Sequence, residues 1–220
     1  MQKDRQRTIF ISGATGYMGS AVIPVLLRRG HMIHALARPG SDKKLPPDCV
    51  PVVGDALDSA SFALRVPQGC TYLHLLGAPK PAPWKGKQFR AIDLPSIKAS
   101  LAAALAAKVS HFVYVSVAHP APIMNAYIAV RKEGEAALRA TGMAASILRP
   151  WYVLGPSHRW PLALLPFYAL LERLPATREA SRRLALVTIQ QMMTALLWAI
   201  EHDPKGVRVL DVPEIKNLST

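Results

Sequence analysis

Thr8-Ile9-Phe10-Ile11-Ser12-Gly13-Ala14-Thr15-Gly16-Tyr17-Met18-Gly19 carries a short apolar run straight into three glycines spaced three apart. Glycine lets a backbone turn sharply and lets a ligand approach without a Cβ in the way. The apolar run 21–27 reads as the start of a helix, whose N-terminal amides favour an anion. Strand, glycine turn and helix start together predict a pyrophosphate cradle, the opening of a dinucleotide-binding α/β domain. Ala14, Thr15, Tyr17 and Met18 are its other contact residues. An ordinary glycine-rich connection is the alternative, and the strand before and helix after speak against it.

Outward from this loop, the 220 residues suit one well-filled α/β domain and are short for two. Half of them are hydrophobic, which excludes a disordered chain. Charged residues 1–7 and the break at Gly13 do not read as a secretory signal, and no apolar run is long enough to span a bilayer. Cys49 and Cys70 lack metal or redox spacing, so reduced thiols in a cytoplasmic protein are expected. No site for a metal is expected: the His31 and His34 pair has no converging carboxylate or cysteine beside it. The net charge of +13 is spread along the chain, with concentrations at Lys80, Lys85, Lys87 and Arg90 and at Arg173, Arg178, Arg182 and Arg183. Nucleic-acid binders concentrate cations in a stripe interleaved with aromatics, which this sequence lacks. A basic background, or attraction to anionic cofactors, phosphates or lipid surfaces, accounts for the balance.

Strand-like segments at 8–12, 32–37, 50–53, 71–76, 111–116 and 145–148 alternate with helix-like ones at 17–29, 59–65, 94–108 and 126–141. Continuous apolar runs bounded by turn residues predict strands buried on both faces, and repeated βα units predict a doubly wound parallel sheet of the Rossmann type. Gly30 and Gly142 sit where helix C-caps belong. Residues 151–220 change character, adding an apolar, proline-broken stretch, a strand at 184–187, a helix at 189–202 and a last strand at 207–212. They are too few for a second core, and a small cap over the substrate end of a single domain is expected.

The second strand ends Leu36-Ala37-Arg38, with no carboxylate before Asp42. A carboxylate there would favour a ribose 2′-hydroxyl, whereas a guanidinium can clamp a 2′-phosphate with a fork of donors. Arg38 therefore argues for NADP(H) over NAD(H), with a solvated strand end as the bland reading. Asp55 and Ala56 after the third strand offer an acceptor for an adenine amino group, and Asp58 a helix cap. Leu76, Gly77 and Ala78 supply small residues beside the adenosine half.

Tyr127 lies on a helix after the strand 111–116, with Arg131 four residues on and Glu135 eight on. Ile147-Leu148-Arg149-Pro150 and Val153-Leu154-Gly155-Pro156 follow. With Gly13, Gly16 and Gly19, and with the Gly54-Asp55 step, this ordered set resembles the short-chain dehydrogenase/reductase superfamily in its atypical or extended branch, which includes epimerase- and dehydratase-like members. The resemblance implies a tyrosine acid/base, a serine or threonine hydroxyl and a lysine four residues after the tyrosine. Tyr127 and Ser116 fill the first two roles; the lysine position holds Arg131, which keeps a positive charge one helical turn from Tyr127 but with a larger fork. The resemblance also puts Pro150 beside the coenzyme, and substrate beneath the segment carrying Trp151, Tyr152, His158 and Trp160. His119 is a candidate proton donor there.

An aromatic and aliphatic lining implies a small hydrophobic organic substrate. The expected activity is an NADP(H)-dependent oxidoreductase, or a related epimerase or dehydratase. The other class is a non-catalytic NADP(H)-binding sensor or assembly protein. As partners we expect the substrate but no nucleic acid, a monomer or homodimer, and membrane-surface contact only as the lesser alternative.

Overall fold

A computed structural model describes residues 6–78, 81–155, 179 and 182–218. In chain order the described elements are β1 (Thr8–Ser12), α1 (Tyr17–Arg28), β2 (Met32–Ala37), β3 (Cys49–Val53), β4 (Thr71–His74), α2 (Gly86–Ala106) and β5 (His111–Val115). There follow α3 (Asn125–Ala140), β6 (Ala145–Leu148), β7 (Tyr152–Leu154), β8 (Leu186–Thr188), α4 (Ile189–Glu201), β9 (Val207–Leu210) and α5 (Val212–Asn217).

Seven parallel strands form one sheet in the order β3-β2-β1-β4-β5-β6-β9, and β7 pairs with β8 in a separate ribbon. Strand order reverses between β1 and β4, and in such sheets the crevice at that reversal is where ligands bind. Side chains alternate between two apolar layers. Ile9 and Ile11 join α1 and α4 on one face, while Phe10, Tyr72 and Phe112 join α2 and α3 on the other. Phe10 stacks on Phe62 and Tyr72 on Phe112. Both cysteines are buried.

Several expected boundaries move, each for a local reason. The stretch 59–65 is two short 3₁₀ turns, Ser59–Ser61 and Ala63–Arg65, rather than one helix. Asp58 caps the first by accepting from the Ala60 amide, and the Ser61 hydroxyl turns back to the Asp55 and Asp58 carbonyls. Such local bonds compete with helix propagation. α2 begins at Gly86 rather than 94 and runs through Pro95, because the added turns bury Phe89 and Asp93. β4 stops at His74 and β5 at Val115, each short of the expected end. The last strand stops at Leu210, and the chain turns into α5, which carries Pro213 in its first turn. α4 and β9 belong to the sandwich itself: α4 packs beside α1 in one core layer and β9 is the sheet's outer strand. The cap reading for 151–220 therefore does not hold for these two elements. Gly30 and Gly142 do take positive φ, +79° and +70°.

Candidate coenzyme and catalytic site

The glycine loop is shaped by atoms too close for any side chain. Gly13 has φ +81°, and a Cβ there would stand 2.7 Å from the Leu76 backbone nitrogen, two residues past the end of β4. A Cβ on Gly19 would stand 2.3 Å from the Ala14 carbonyl oxygen. The Gly16 amide donates to the Gly13 carbonyl, and Gly16 is the N-cap of α1. No side chain caps that helix, and its first turn holds no acidic residue. These are the conditions under which helix amides receive an anion. Ala14 is buried, Thr15 and Gly16 are exposed and Met18 is half-buried. Tyr17 points across the mouth: its hydroxyl lies where a side chain on Gly155 would go. Burial, and then neighbouring Tyr152, push its phenol pKa above the ordinary value.

Around this loop the strand ends supply the remaining contacts. Arg38 stands exposed after β2, and its guanidinium has no hydrogen-bond or ionic partner among the described residues. The Asp55 carboxylate already accepts from the Leu57 amide, 2.9 Å, an Asx turn that holds the loop after β3 with buried Ala56 inside it. After β4, Leu76 and Gly77 are half-buried, and the buried Ala78 donates its amide to Asp93 at 3.0 Å.

The tyrosine helix is organised differently. Tyr127 is half-buried in the first turn of α3, its ring 4.8 Å from that of Phe89 and its face 5.0 Å from the Arg131 guanidinium carbon. Burial raises the phenol pKa above its ordinary value, and the Arg131 charge opposes that rise. Arg131 is itself buried. It pairs with Asp93 at 2.7 Å and donates to the Val115 carbonyl at 3.1 Å and the Tyr114 hydroxyl at 3.4 Å. Its guanidinium lies so tightly under Gly77 that a Cβ there would collide with it. Burial pushes the Asp93 carboxyl pKa up, while Arg131 and the Ala78 amide pull it down. Arg131 is thus a clamp between α3, α2 and the loop after β4.

Ser116 belongs to another network. Its hydroxyl donates to buried Glu135 at 2.6 Å, and Arg149 grips the same carboxylate through two nitrogens. Burial pushes Glu135 upward, but the hydrogen bonds from Arg149 and Ser116 outweigh it and hold the group below the usual carboxylate range. His119 Nε2 lies 3.5 Å from Glu135, and burial followed by the Arg149 charge lowers the imidazole pKa. Ser116 is therefore tied to Glu135 and His119 rather than to Tyr127 and Arg131. Buried Pro150 turns its carbonyl to the Ala118 amide, 3.0 Å, bracing the same wall. Trp151, just before β7, and Tyr152, its first residue, are half-buried; His158 and Trp160 lie outside the described residues.

Asp93 was not among the expected site residues. Its signal was present: it stands between Phe89 and Ile97 at spacings of four, so a lone carboxylate occupies the buried face of an apolar helix.

Residues 13–158 match a family described as NAD(P)H-binding. The ceramide reductase of Caulobacter vibrioides (strain NA1000 / CB15N) is 27% identical over 199 residues, which are 90% of this chain and 62% of that protein. The chloroplastic divinyl chlorophyllide a 8-vinyl-reductase of Oryza sativa subsp. indica is 53% identical over 36 residues, 16% of this chain and 9% of that protein. The chain therefore spans less than two-thirds of either curated relative. The enzyme WbmH of Bordetella bronchiseptica, solved in complex with NAD+, superposes with a TM-score of 0.69 at 19% identity, covering 94% of this chain and 76% of WbmH. The UDP-glucose 4-epimerase of Thermus thermophilus, solved with NAD, gives 0.68 at 16% identity, covering 96% and 81%. At these identities the likeness shows the fold.

Proposed function

This chain belongs to the NAD(P)H-binding family, with the fold of the short-chain dehydrogenase/reductase superfamily, and from that premise we propose an NADPH-dependent reductase acting on an apolar, lipid-like carbonyl compound. The observation that carries the coenzyme reading is the loop itself. It is closed so tightly that a Cβ at Gly13 or Gly19 would strike neighbouring backbone, and it opens onto an uncapped helix at the sheet's switch point. Those amides would hold the pyrophosphate. Arg38, without a partner among the described residues, would take a 2′-phosphate through its fork of donors. Asp55 keeps one carboxylate oxygen for the adenine edge, and the Gly77–Ala78 backbone, held by Asp93, would support the ribose side.

When bound, the coenzyme supplies a hydride. Tyr127 would give the accompanying proton to the carbonyl oxygen, with Arg131 beside its ring favouring the phenolate left behind. Arg131, already committed to Asp93 and the Val115 carbonyl, acts on Tyr127 by position and charge. Trp151 and Tyr152 would form the apolar wall. A lipid-like substrate is supported by the ceramide reductase relative, whose likeness runs along 90% of this chain. The test is NADPH consumption with a panel of long-chain carbonyl compounds. Tyr127→Phe should lower turnover by about 100-fold or more while leaving NADPH binding intact. Undiminished turnover removes Tyr127 from the chemistry.

One observation favours a second reading, an NADP(H)-binding protein without turnover: the Ser116 hydroxyl and the Arg131 guanidinium both serve buried ion networks. That reading predicts tight NADPH binding, no consumption with any carbonyl compound, and no effect of Tyr127→Phe.

A further inference from the structure

We propose that the rim formed by the turn Pro83–Lys85 and the segment before α3 is a docking surface for an anionic lipid bilayer. The inference goes beyond the reductase reading and needs neither coenzyme nor turnover.

Placement comes first. β4 and β5 are adjacent parallel strands, so the segments that leave them for α2 and α3 emerge at one edge of the sheet. It is the edge that also carries the glycine loop. The two helix starts touch: a Cβ on Gly86 would be 3.2 Å from the Ala126 Cβ. Trp84, two residues before Gly86, and Ile123, three before Ala126, therefore share one rim.

Both are exposed, Trp84 at 83% and Ile123 at 56%. A lone exposed apolar side chain needs no explanation. Two large ones together beside a ligand mouth, one of them tryptophan, have the composition of a bilayer-interface anchor.

Charge chooses the occupant. Between Asp58 and Glu133 the sequence contains a single carboxylate, Asp93, while the same stretch supplies Lys85 and Lys87 next to Trp84. Asp93 is buried against Arg131, and Glu133 is paired with Arg90 at 2.8 Å. The rim thus joins cations and apolar side chains on a stretch poor in acids, in a chain of net charge +13. An acidic headgroup layer over a hydrocarbon layer complements both features at once. Among the described residues no helix is long and apolar enough to cross a membrane, so the contact is at the surface. It would put the substrate mouth against the lipid phase.

The experiment is sedimentation of the coenzyme-free protein with vesicles of phosphatidylglycerol and phosphatidylcholine, against phosphatidylcholine alone. Binding to the anionic vesicles is expected, weakening as salt is raised. The pair Trp84→Ser and Ile123→Ser should reduce partitioning by about tenfold or more, and Lys85→Gln with Lys87→Gln should abolish the preference for anionic vesicles. Melting temperature and NADPH affinity, unchanged in these variants, show an intact fold. No association with either vesicle, or association indifferent to both pairs of substitutions, overturns the proposal. So does a concentration-dependent dimer that Trp84→Ser and Ile123→Ser dissolve, since a second copy would then cover the rim. Failure of the reductase reading alone would leave vesicle binding in place.

Discussion

The glycine loop after β1 and the tyrosine helix α3 meet at the same edge of one sheet, yet they are built on opposite terms. The loop is almost all backbone: Gly13 and Gly19 close on neighbouring backbone atoms, α1 starts without a capping side chain, and Arg38 after β2 has no partner among the described residues. The helix region is almost all side chain. Arg131 is bound to Asp93, Val115 and Tyr114, and Ser116 to Glu135. One region leaves its helix amides without a capping side chain. The other has satisfied its charges internally and offers Tyr127 at its margin. On the proposed reading, binding and chemistry would therefore be lost separately.

The largest expected effect tests the first region. Gly19→Ala forces a methyl into the Ala14 and Gly13 carbonyls, and neither backbone atom can move without opening the loop. NADPH binding should fall by about 100-fold or more, with a clear loss of stability. Gly30→Ala is the contrast. It meets nothing within 4 Å among the described residues and strains only a positive φ, so it should cost about 1 kcal/mol and leave binding alone. Equal effects of the two on binding would deny the loop its special role.

Next comes the second region. Asp93→Asn leaves a buried guanidinium without its carboxylate, and denaturant melts should show about 3–5 kcal/mol lost. Because Asp93 also holds the Ala78 amide, turnover should fall with it. Arg131→Lys should also destabilise, since an ammonium cannot serve Asp93, Tyr114 and Val115 from one plane. A stable Arg131→Lys variant with faster turnover would mean that Arg131 is a worn catalytic lysine and not a clamp.

A smaller, pH-dependent effect comes from two buried histidines, His74 at the end of β4 and His111 at the start of β5. Burial lowers the pKa of His111 to about 4 and that of His74 to about 3. His74 Nδ1 lies 2.9 Å from the Ser12 hydroxyl, one residue before the glycine loop. With folded values below the unfolded value of about 6.5, the unfolded chain takes up protons first as pH falls. Their contribution to stability is complete above pH 6.5 and shrinks as pH drops toward 4. His111, whose Nδ1 lies 3.1 Å from the Asp203 carboxylate, should share in this loss between pH 7 and pH 5. His111→Asn should flatten that slope in urea melts, and an unchanged slope would place the titration elsewhere.

What the sequence made legible follows the same division. β1 and β2 were readable to the residue because an apolar run bounded by glycine has few alternatives in a doubly wound sheet. The cradle was readable because its specification is the absence of side chains. The clamp was not, because Arg131 and Asp93 are 38 positions apart, a distance given by their numbers, and become neighbours only when α2 packs on α3. The start of α2 failed for the same reason, as its first turns are held by Phe89 and Asp93 meeting residues of α3. The turns at 59–65 failed locally, through Ser61 and Asp58. α5 was announced by Asp211 and Pro213, a helix-start signal hidden behind an apolar strand.

Calorimetric titration of the protein with NADPH and with NADH, repeated on Arg38→Ala, addresses the cradle and its phosphate clamp together. NADPH should bind more tightly than NADH by about tenfold or more, and Arg38→Ala should erase most of that difference while sparing NADH. Equal affinities that Arg38→Ala leaves unchanged would contradict the phosphate assignment, and heat from neither nucleotide would contradict the cradle.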